Sequence, residues 1–254
     1  MLALRSDWPG DPTELRNAGD RQSHEFLVAE LRRLRPADAV LSEEGADDPA
    51  RLGADRVWIV DPLDGTREFG DTGRTDWAVH VALWQRGDLT AGAVALPAQG
   101  KVLSTAAAVP AADGHAASAG SGPIRLLVSR SRPPEFVQRL AEHLGAELVP
   151  MGSAGAKAAA VIAGEADAYV HSGGQYEWDS AAPVAVARAV GLHASRIDGS
   201  PLVYNQADPS VPDILISPAS LAPVLLAAIA SVRTAASSGR PAQAGSPLPT
   251  DSEL

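Results

Sequence analysis

The segment Asp61-Pro62-Leu63-Asp64-Gly65-Thr66 combines two carboxylates with a glycine turn, and this combination suits phosphoryl chemistry. An apolar run at residues 57–60 predicts a buried strand, which we expect to end at Pro62 because proline supplies no amide to a sheet. Two carboxylates, with the carbonyl of Leu63 between them, suit a divalent cation. The glycine lets backbone amides approach an anion. The segment therefore predicts a cation and a phosphate at one strand end.

A simpler interpretation of such aspartates is structural. Aspartates after a strand often form turns or cap helices, because their side chains bond nearby amides. The same alternative applies to Asp20 and Asp179, each of which stands at the start of a predicted helix. Glu43 and Glu44 are typical of a solvated face. One loop separates them from the Asp61 strand, however, and Glu43 is the better candidate to reach the same site.

A glycine-serine turn at residues 152–157 precedes a short predicted helix that ends at Gly164. Its amides and the Ser153 hydroxyl could contact an anion at the N-terminus of that helix. Close helix packing explains the small residues of the turn equally well. Both interpretations of the turn stay open at the level of the sequence.

The composition is that of a globular protein and excludes several classes of function. Hydrophobic residues make up 45% and charged residues 20% of the 254 residues. The net charge of -10 argues against a nucleic-acid polymer as partner, since such binding needs clustered Lys and Arg. No apolar run approaches the roughly 18 residues that span a bilayer, and no signal sequence is visible, so we expect a cytoplasmic protein without a membrane partner. The absence of cysteine excludes disulfides and thiol chemistry.

Residues 1–122 predict an N-terminal α+β domain that contains the metal site. Residues 1–19 show little structure, and an amphipathic helix begins at Asp20 and stops before Pro36. Residues 77–105 predict an antiparallel meander of three strands. The apolar face of the helix is expected to consist of Phe26, Leu27, Leu31 and Leu34.

Residues 123–234 predict a C-terminal α/β domain, because strands and helices alternate along them. Sequence rich in Ala, Ser, Gly and Pro at 109–122 marks the boundary between the halves. Residues 235–254 have few large apolar side chains and predict a disordered tail. The predicted strands lie at 124–128, 148–151, 166–170 and around 215. The predicted helices lie at 133–144, after the 152–157 turn as far as 162, at 178–190 and at 220–232.

Three separated motifs, in this order and at these spacings, resemble the inositol monophosphatase superfamily of magnesium-dependent, lithium-sensitive phosphatases. They are Glu43, the segment 61–66 and the Trp-Asp-Ser-Ala-Ala-Pro run at 178–183. The Arg67-Glu68-Phe69 sequence is similar to the CysQ-type branch, the 3'(2'),5'-bisphosphate nucleotidases, as are residues 129–132 and 202–205. The resemblance implies an α/β fold, built as a layered αβαβα sandwich of the inositol monophosphatase and fructose-1,6-bisphosphatase type.

The resemblance also implies a role for each matching position. The metal ligands would be Glu43, Asp61, the Leu63 carbonyl, Asp64 and Asp179. Asp61 would bridge two Mg2+ ions, with a third ion as an alternative. Asp20 and Thr66 would orient the attacking water and help to deprotonate it. The contacts to the substrate would come from Gly65, Thr66, Arg67, Ser129, Ser153, Lys157 and Asp179.

The CysQ-type branch implies hydrolysis of the 3'-phosphate of 3'-phosphoadenosine 5'-phosphate (PAP), and of PAPS as a further candidate. Inositol 1-phosphate and fructose 1,6-bisphosphate remain alternatives, because loops outside the motifs decide substrate choice. An inactive metal-binding or structural homologue is the alternative from another class. A haloacid dehalogenase-type phosphatase is excluded, because its motif places the two aspartates two positions apart and this chain has three. A homodimer is compatible with the resemblance.

Two departures from the superfamily concern the region before Asp20. Only 19 residues precede it, whereas members usually have a longer N-terminal helical segment, which predicts either a start further upstream or the loss of one helix. Members also commonly have Thr or Ser just before this position, where this chain has Asn17-Ala18-Gly19. Both departures concern Asp20 and any third metal ion, and leave the predicted metal pair unchanged.

Overall fold

The chain forms two five-stranded sheets packed with α-helices over the residues that the computed structural model describes, which are 1–108, 122–131 and 133–238. The helices are α1 (Leu2–Ser6), α2 (Pro12–Leu34), α3 (Thr66–Gly70), α4 (Glu135–Leu144), α5 (Ala154–Ile162), α6 (Glu177–Ala189) and α7 (Ala222–Ser238). The strands are β1 (Ala39–Ser42), β2 (Arg56–Asp64), β3 (Ala78–Gln85), β4 (Asp88–Leu96), β5 (Lys101–Ser104), β6 (Arg125–Ser129), β7 (Glu147–Met151), β8 (Ala168–Tyr176), β9 (His193–Ser195) and β10 (Ser210–Ser217). Short 3-10 helices span Pro49–Gly53, Pro97–Gln99 and Thr105–Ala107.

The first sheet is an antiparallel meander with one parallel strand at its edge. Its order is β1-β2-β3-β4-β5, and the β3–β4–β5 hairpins confirm the meander predicted at residues 77–105. The predicted end of the second strand at Pro62 is wrong, since β2 continues to Asp64. The pairing of β2 with β3 is irregular between Asp61 and Asp64. Proline is tolerated at such an irregularity because no ladder amide is needed there.

The second sheet mixes parallel and antiparallel pairs, in the order β7-β6-β8-β10-β9. β6 runs parallel to both β7 and β8, as the predicted alternation of strands and helices requires. β10 runs antiparallel to β8 and β9. The sequence did not predict β9, because its three residues are too few to show a period.

The helices separate and flank the two sheets, so that the fold has five layers. α5 and α6 lie between the sheets, in a core that joins apolar residues from both. α2 packs against β2 on the outer side of the first sheet. α4 and α7 cover the outer side of the second sheet, around Leu126, Leu140 and Leu225. This arrangement confirms the layered αβαβα fold class.

α2 begins eight residues earlier than the sequence predicted, at Pro12, with Asp11 as its N-cap. Residues 1–19 are therefore mostly helical, and Asp20 lies inside the helix instead of capping it. Phe26 and Leu34, expected on the buried face, are 65% and 52% exposed. The buried face consists of mostly small residues that an apolar pattern does not reveal, namely Leu15, Ala18, Gly19, Ser23 and Val28.

The C-terminal helix α7 also exceeds its predicted length. It continues to Ser238, so the first four positions of the predicted tail at 235–254 are helical. Residues 239–254, the predicted boundary at 109–121 and Arg132 lie outside the described residues. No helix in the described part of the chain combines the length and the apolar character needed to cross a membrane.

Gly92 sets the distance between the first sheet and α6. A Cβ atom at this position of β4 would lie 2.7 Å from the Cβ of Ala185 and 3.2 Å from the carbonyl oxygen of Ala182. Both neighbours are on α6, which also carries Asp179. The close approach of helix and sheet therefore depends on small residues on both sides.

We expect Gly92→Ala to lower the free energy of unfolding by about 1–3 kcal/mol, because the added methyl group forces α6 away from the sheet. Urea denaturation followed by circular dichroism would measure the change. Gly53→Ala is the control, because nothing lies within 4 Å of its added Cβ. Equal effects of the two substitutions would contradict this account of the helix–sheet contact.

Candidate active site

A cavity of about 640 Å3 opens where the end of β2, the loop after β1 and the start of α6 meet. The structure brings nine of the predicted site residues to its lining: Glu43, Asp61, Leu63, Asp64, Gly65, Thr66, Arg67, Ser129 and Asp179. Ser131, Pro133 and Pro134 form one wall, and residues 171–174 of β8 form another. Asp20, Ser153 and Lys157 are not among the described residues of the lining.

Asp61, Asp64 and Asp179 form a compact group of carboxylates at the base of the cavity. Each offers one carboxylate oxygen, and the three oxygens lie within 4.8 Å of one another. Residues three apart on a regular strand point to opposite faces of the sheet. The irregular pairing between Asp61 and Asp64 cancels this alternation, so both side chains reach the same cavity.

Asp179 occupies the third position of α6, not the N-cap position that the sequence allowed. The N-cap residue is Tyr176, whose backbone amide donates to the Asp179 carboxylate over 2.7 Å. A carboxylate in the first turn is favoured by the helix dipole. The helix start therefore holds the third carboxylate towards the two on β2.

Asp64 is held by α5 from the second half of the chain. Its Oδ2 accepts hydrogen bonds from the Ser153 hydroxyl at 2.5 Å and from the Gly155 amide at 2.7 Å. The Ser153 hydroxyl also accepts from the Ala156 amide at 3.0 Å. The Ser153 side chain is buried and holds the Asp64 carboxylate in place, and its predicted contact to an anion stays a prediction.

Lys157 is likewise directed into the protein and away from the cavity. Its side chain is buried, and Nζ donates to the carbonyl oxygens of Ser153 at 2.6 Å and Gly152 at 3.2 Å. The ammonium group also lies 5.1 Å from the centroid of the Tyr169 ring. Burial lowers the pKa of Lys157, while the negative charge of Asp64 opposes that shift. Lys157 therefore supplies positive charge close to the carboxylates, and its predicted contact to the nucleotide stays a prediction.

His80 also belongs to the site, although no motif in the sequence indicates it. It stands opposite Asp61 in the β2–β3 register and is fully buried. Its Nε2 lies 3.2 Å from Oδ2 of Asp64, and its Nδ1 lies 3.1 Å from the carbonyl oxygen of Trp178. Burial alone would lower the pKa of His80, but the charge of Asp64, the hydrogen bonds to Asp64 and Trp178 and the charge of Asp179 together raise it. Only the register of the two strands could have revealed this neighbour of the carboxylates.

The electrostatics of the group are those of crowded, buried acids. Burial raises the pKa of Glu43 to about 7, and neighbouring carboxylates add to the shift. Burial and the charge of Asp64 raise the pKa of Asp179 to about 7 and hold that of Asp61 well above its usual range. Burial also acts on Asp64, but the charges of His80 and other neighbours bring its pKa below the ordinary value. The ionised cluster therefore carries negative charge that the neighbouring residues do not fully neutralise.

The residues present fit a hard divalent cation. All the candidate donors in the group are oxygen atoms, and at least three carboxylates converge without an arginine among them. Divalent metals such as Mg2+ prefer such carboxylate and carbonyl donors over nitrogen and sulfur. These acidic residues can therefore hold a metal ion beside the Gly65 turn, where the left-handed backbone (φ 87°) suits glycine.

Thr66 and Asp20, predicted to act on water, occupy different surroundings. The Thr66 hydroxyl lines the cavity and donates to the Leu63 carbonyl oxygen over 3.2 Å. Asp20 lies in the middle of α2, where burial and the charge of Glu44 raise its pKa to about 7. Asp20 therefore approaches the site from the side of the Glu43–Glu44 loop.

Converging carboxylates beside the Gly65 turn, between the sheets of an αβαβα sandwich, are the features of a metal-dependent phosphatase. The profile of the inositol monophosphatase family matches residues 9–234. The chain belongs to the inositol monophosphatase family.

Similar proteins include phosphatases of 3'-phosphoadenosine 5'-phosphate and bisphosphate nucleotidases. The 3'-phosphoadenosine 5'-phosphate phosphatase of Mycobacterium tuberculosis is 55% identical over 91% of this chain and 88% of its own length. The 3'(2'),5'-bisphosphate nucleotidase CysQ of Escherichia coli K12 is 34% identical over 74% of this chain and 78% of its own length.

Solved structures of the family share the fold. CysQ of Bacteroides thetaiotaomicron superposes with a TM-score of 0.74 at 28% identity and covers 85% of this chain and 91% of its own. The inositol monophosphatase TM1415 of Thermotoga maritima superposes with a TM-score of 0.69 at 21% identity, over 85% of this chain and 83% of its own. At that identity the second similarity concerns the fold alone.

We expect the metal-free protein to lose stability as the pH rises from about 5.5 to about 8, because acids with a raised folded-state pKa stabilise the fold only while protonated. Divalent cation should restore the loss. Asp61→Asn keeps the acceptor for the Leu63 amide and removes one charge, so its melting temperature in EDTA should rise by several degrees at about pH 8. Differential scanning fluorimetry with EDTA and with Mg2+ would measure both effects.

The control for this measurement is Asp7→Asn, at an exposed position of the N-terminal segment. It should change neither the pH dependence nor the stabilisation by Mg2+. A metal-free protein whose stability increases over the same pH interval would contradict the assignment of repulsion to the carboxylate cluster.

Proposed function

We propose that this phosphatase hydrolyses the 3'-phosphate of PAP, releasing AMP and inorganic phosphate, with two Mg2+ ions at the carboxylate cluster. PAPS is a second candidate substrate of the same kind. The observation that carries the proposal is the 55% identity, over nearly the whole chain, to the mycobacterial proteins named PAP phosphatases. Such an activity would clear a by-product of sulfate activation and sulfotransfer, and we place it in the cytoplasm.

The ligand assignment is the one that the family resemblance implies, and the convergence of Asp61, Asp64 and Asp179 supports it. Glu43, Asp61 and the Leu63 carbonyl would hold one Mg2+, and Asp61, Asp64 and Asp179 the other. Bound magnesium supplies charge stabilisation at the phosphate and makes a coordinated water more acidic. A third ion near Asp20 is the alternative stoichiometry.

The protein's own groups orient the phosphate and the water. The backbone amides of Gly65 and Thr66, at the turn that begins α3, bind the phosphate. Asp20 and Thr66 orient the attacking water. Because its pKa is raised to about 7, Asp20 can exchange a proton near neutral pH, which suits a general base. Attack occurs directly on phosphorus, without a covalent phosphoenzyme.

Arg67 supports a substrate with a second anionic group. It is exposed, lines the cavity next to the phosphate turn and is the one arginine among the described lining residues. The 5'-phosphate of PAP gives this guanidinium a partner, which inositol 1-phosphate lacks. Fructose 1,6-bisphosphate also carries a second phosphate and is therefore the stronger of the two alternatives.

Phosphate release from PAP, inositol 1-phosphate and fructose 1,6-bisphosphate tests the function directly. We expect Mg2+-dependent turnover that favours PAP, is abolished by EDTA and is lost in Asp61→Asn. Preference for a sugar phosphate would overturn the substrate and keep the metal site. A folded, Mg2+-binding protein without turnover on any of the three would favour the inactive homologue. Light scattering on the same full-length sample would test the homodimer.

Replacement of Arg67 by methionine should raise the KM for PAP about tenfold and leave the kcat nearly unchanged, because a charge-assisted contact to the 5'-phosphate is lost. The difference from the unmodified enzyme should shrink at high salt. Steady-state kinetics at two ionic strengths would measure it, with the exposed Arg32→Met on α2 as the control. A kcat loss that is equal for PAP and inositol 1-phosphate would contradict the 5'-phosphate contact.

A further inference from the structure

Glu68 and Arg130 form an ion pair that joins the two halves of the chain at the cavity wall. Nε and Nη2 of Arg130 donate to the same carboxylate oxygen of Glu68, over 3.1 and 2.7 Å. The Glu68 side chain is 7% exposed and that of Arg130 is 37% exposed. Because one partner is nearly desolvated, this pair constrains geometry more than an exposed surface pair does.

The Glu68 end of the pair is fixed in place. A Cβ atom at Gly152 would lie 2.3 Å from Cδ of Glu68, so the carboxylate packs directly on the backbone of that glycine. The guanidinium of Arg5 donates to the carbonyl oxygens of Phe69 at 2.9 Å and Glu68 at 3.2 Å. α3, which begins at the Gly65 turn, therefore presents a closely packed carboxylate to Arg130.

The Arg130 end of the pair belongs to a wall of the cavity. Ser129 and Ser131, its two neighbours, line the active-site cavity, and the Arg130 amide donates to the Met151 carbonyl oxygen over 3.2 Å. Arg130 itself lines an adjacent cavity of about 550 Å3, which shares Ser129 and Pro133 with the first. Its guanidinium is thus engaged with Glu68 behind the wall.

We propose that the Glu68–Arg130 pair determines substrate specificity by setting the position of the wall at residues 129–131. This inference rests on the proposed function. The scissile phosphate binds at the carboxylate cluster and the Gly65 turn, so the wall contacts the part of the substrate beyond that phosphate. Arg130 is a positioning residue and Arg67 the residue that touches the substrate.

The pair also explains why two stretches of this chain occur together. Glu68 lies in the Arg67-Glu68-Phe69 sequence and Arg130 in the run at 129–132, which are two of the three stretches that resemble the CysQ-type branch. Their side chains meet although 62 residues separate them. A shared task of shaping the nucleotide end of the cavity accounts for both stretches.

The test compares Arg130→Met, Glu68→Gln and the double variant, each loaded with Mg2+. We expect each single variant to lower kcat/KM for PAP about tenfold, mainly through KM, because a displaced wall misplaces the nucleoside. The kcat/KM for inositol 1-phosphate should change less than about twofold. The double variant should resemble the single variants, since both remove one interaction. Arg139→Met, which removes the exposed pair with Glu135, is the matched control.

Equilibrium binding supplies a readout that does not depend on turnover. Calorimetry with AMP and with inorganic phosphate separates the nucleoside end from the phosphate end of the site. We expect the AMP affinity to fall about tenfold in Arg130→Met while phosphate affinity is unchanged. If Glu68→Gln folds poorly, Arg130→Met still shows whether the pair contributes to AMP affinity, because the exposed Arg130 side chain is replaced without a buried cavity.

Three results would overturn the inference. Equal losses on PAP and inositol 1-phosphate would mean that the pair supports the phosphate site. A loss in Arg130→Met without one in a folded Glu68→Gln would mean that Arg130 touches the substrate itself. Unchanged AMP affinity in both variants would remove any role of the wall. A wild-type enzyme that prefers inositol 1-phosphate would instead contradict the proposed function. The comparison of AMP affinity with phosphate affinity would still test the role of the Glu68–Arg130 pair.

Discussion

The repulsion among buried carboxylates at the base of the cavity is the constraint on which the rest of the structure depends. Asp61, Asp64 and Asp179 bring their oxygens within 4.8 Å of one another in a largely desolvated place. Like charges at such short distances destabilise a fold unless other groups compensate them. The fold supplies amides, a hydroxyl, a histidine and a buried lysine around Asp64, and leaves the remaining charge to a cation. Much of the inter-sheet layer can be understood as the support of this cluster.

The convergence of the acidic residues could be predicted from the sequence, because their chemistry is visible in residue type and spacing. Carboxylates that leave a strand beside a glycine turn can be recognised without a structure, and the alternation of strands and helices indicated the layered fold. The nine predicted positions that line the cavity belong to such short, ordered segments. Their roles as ligands and contacts remain proposals, since convergence alone does not assign a task.

The supporting residues could not be predicted, because tertiary contacts determine them. Ser153 and Lys157 looked available for a ligand, yet each hydrogen-bonds to the protein instead. His80 joined the site through the register of two strands, which no local pattern specifies. The start of α2 was missed for a related reason, because its buried face uses glycine, alanine and serine where a pattern of large apolar residues was sought.

The long sequence separation between Asp64 and the residues that hydrogen-bond to it has a consequence for the biosynthesis of the protein. Ser153 and Gly155 follow Asp64 by 89 and 91 residues, and Asp179 lies later still. A nascent chain that has completed only its first sheet therefore has Asp61 and Asp64 in water and lacks Asp179, so the repulsion of the buried cluster does not yet arise. The site can form only after α5 and α6 have left the ribosome. Chaperones and proteases therefore act on a partly synthesised chain that a bound cation cannot yet stabilise.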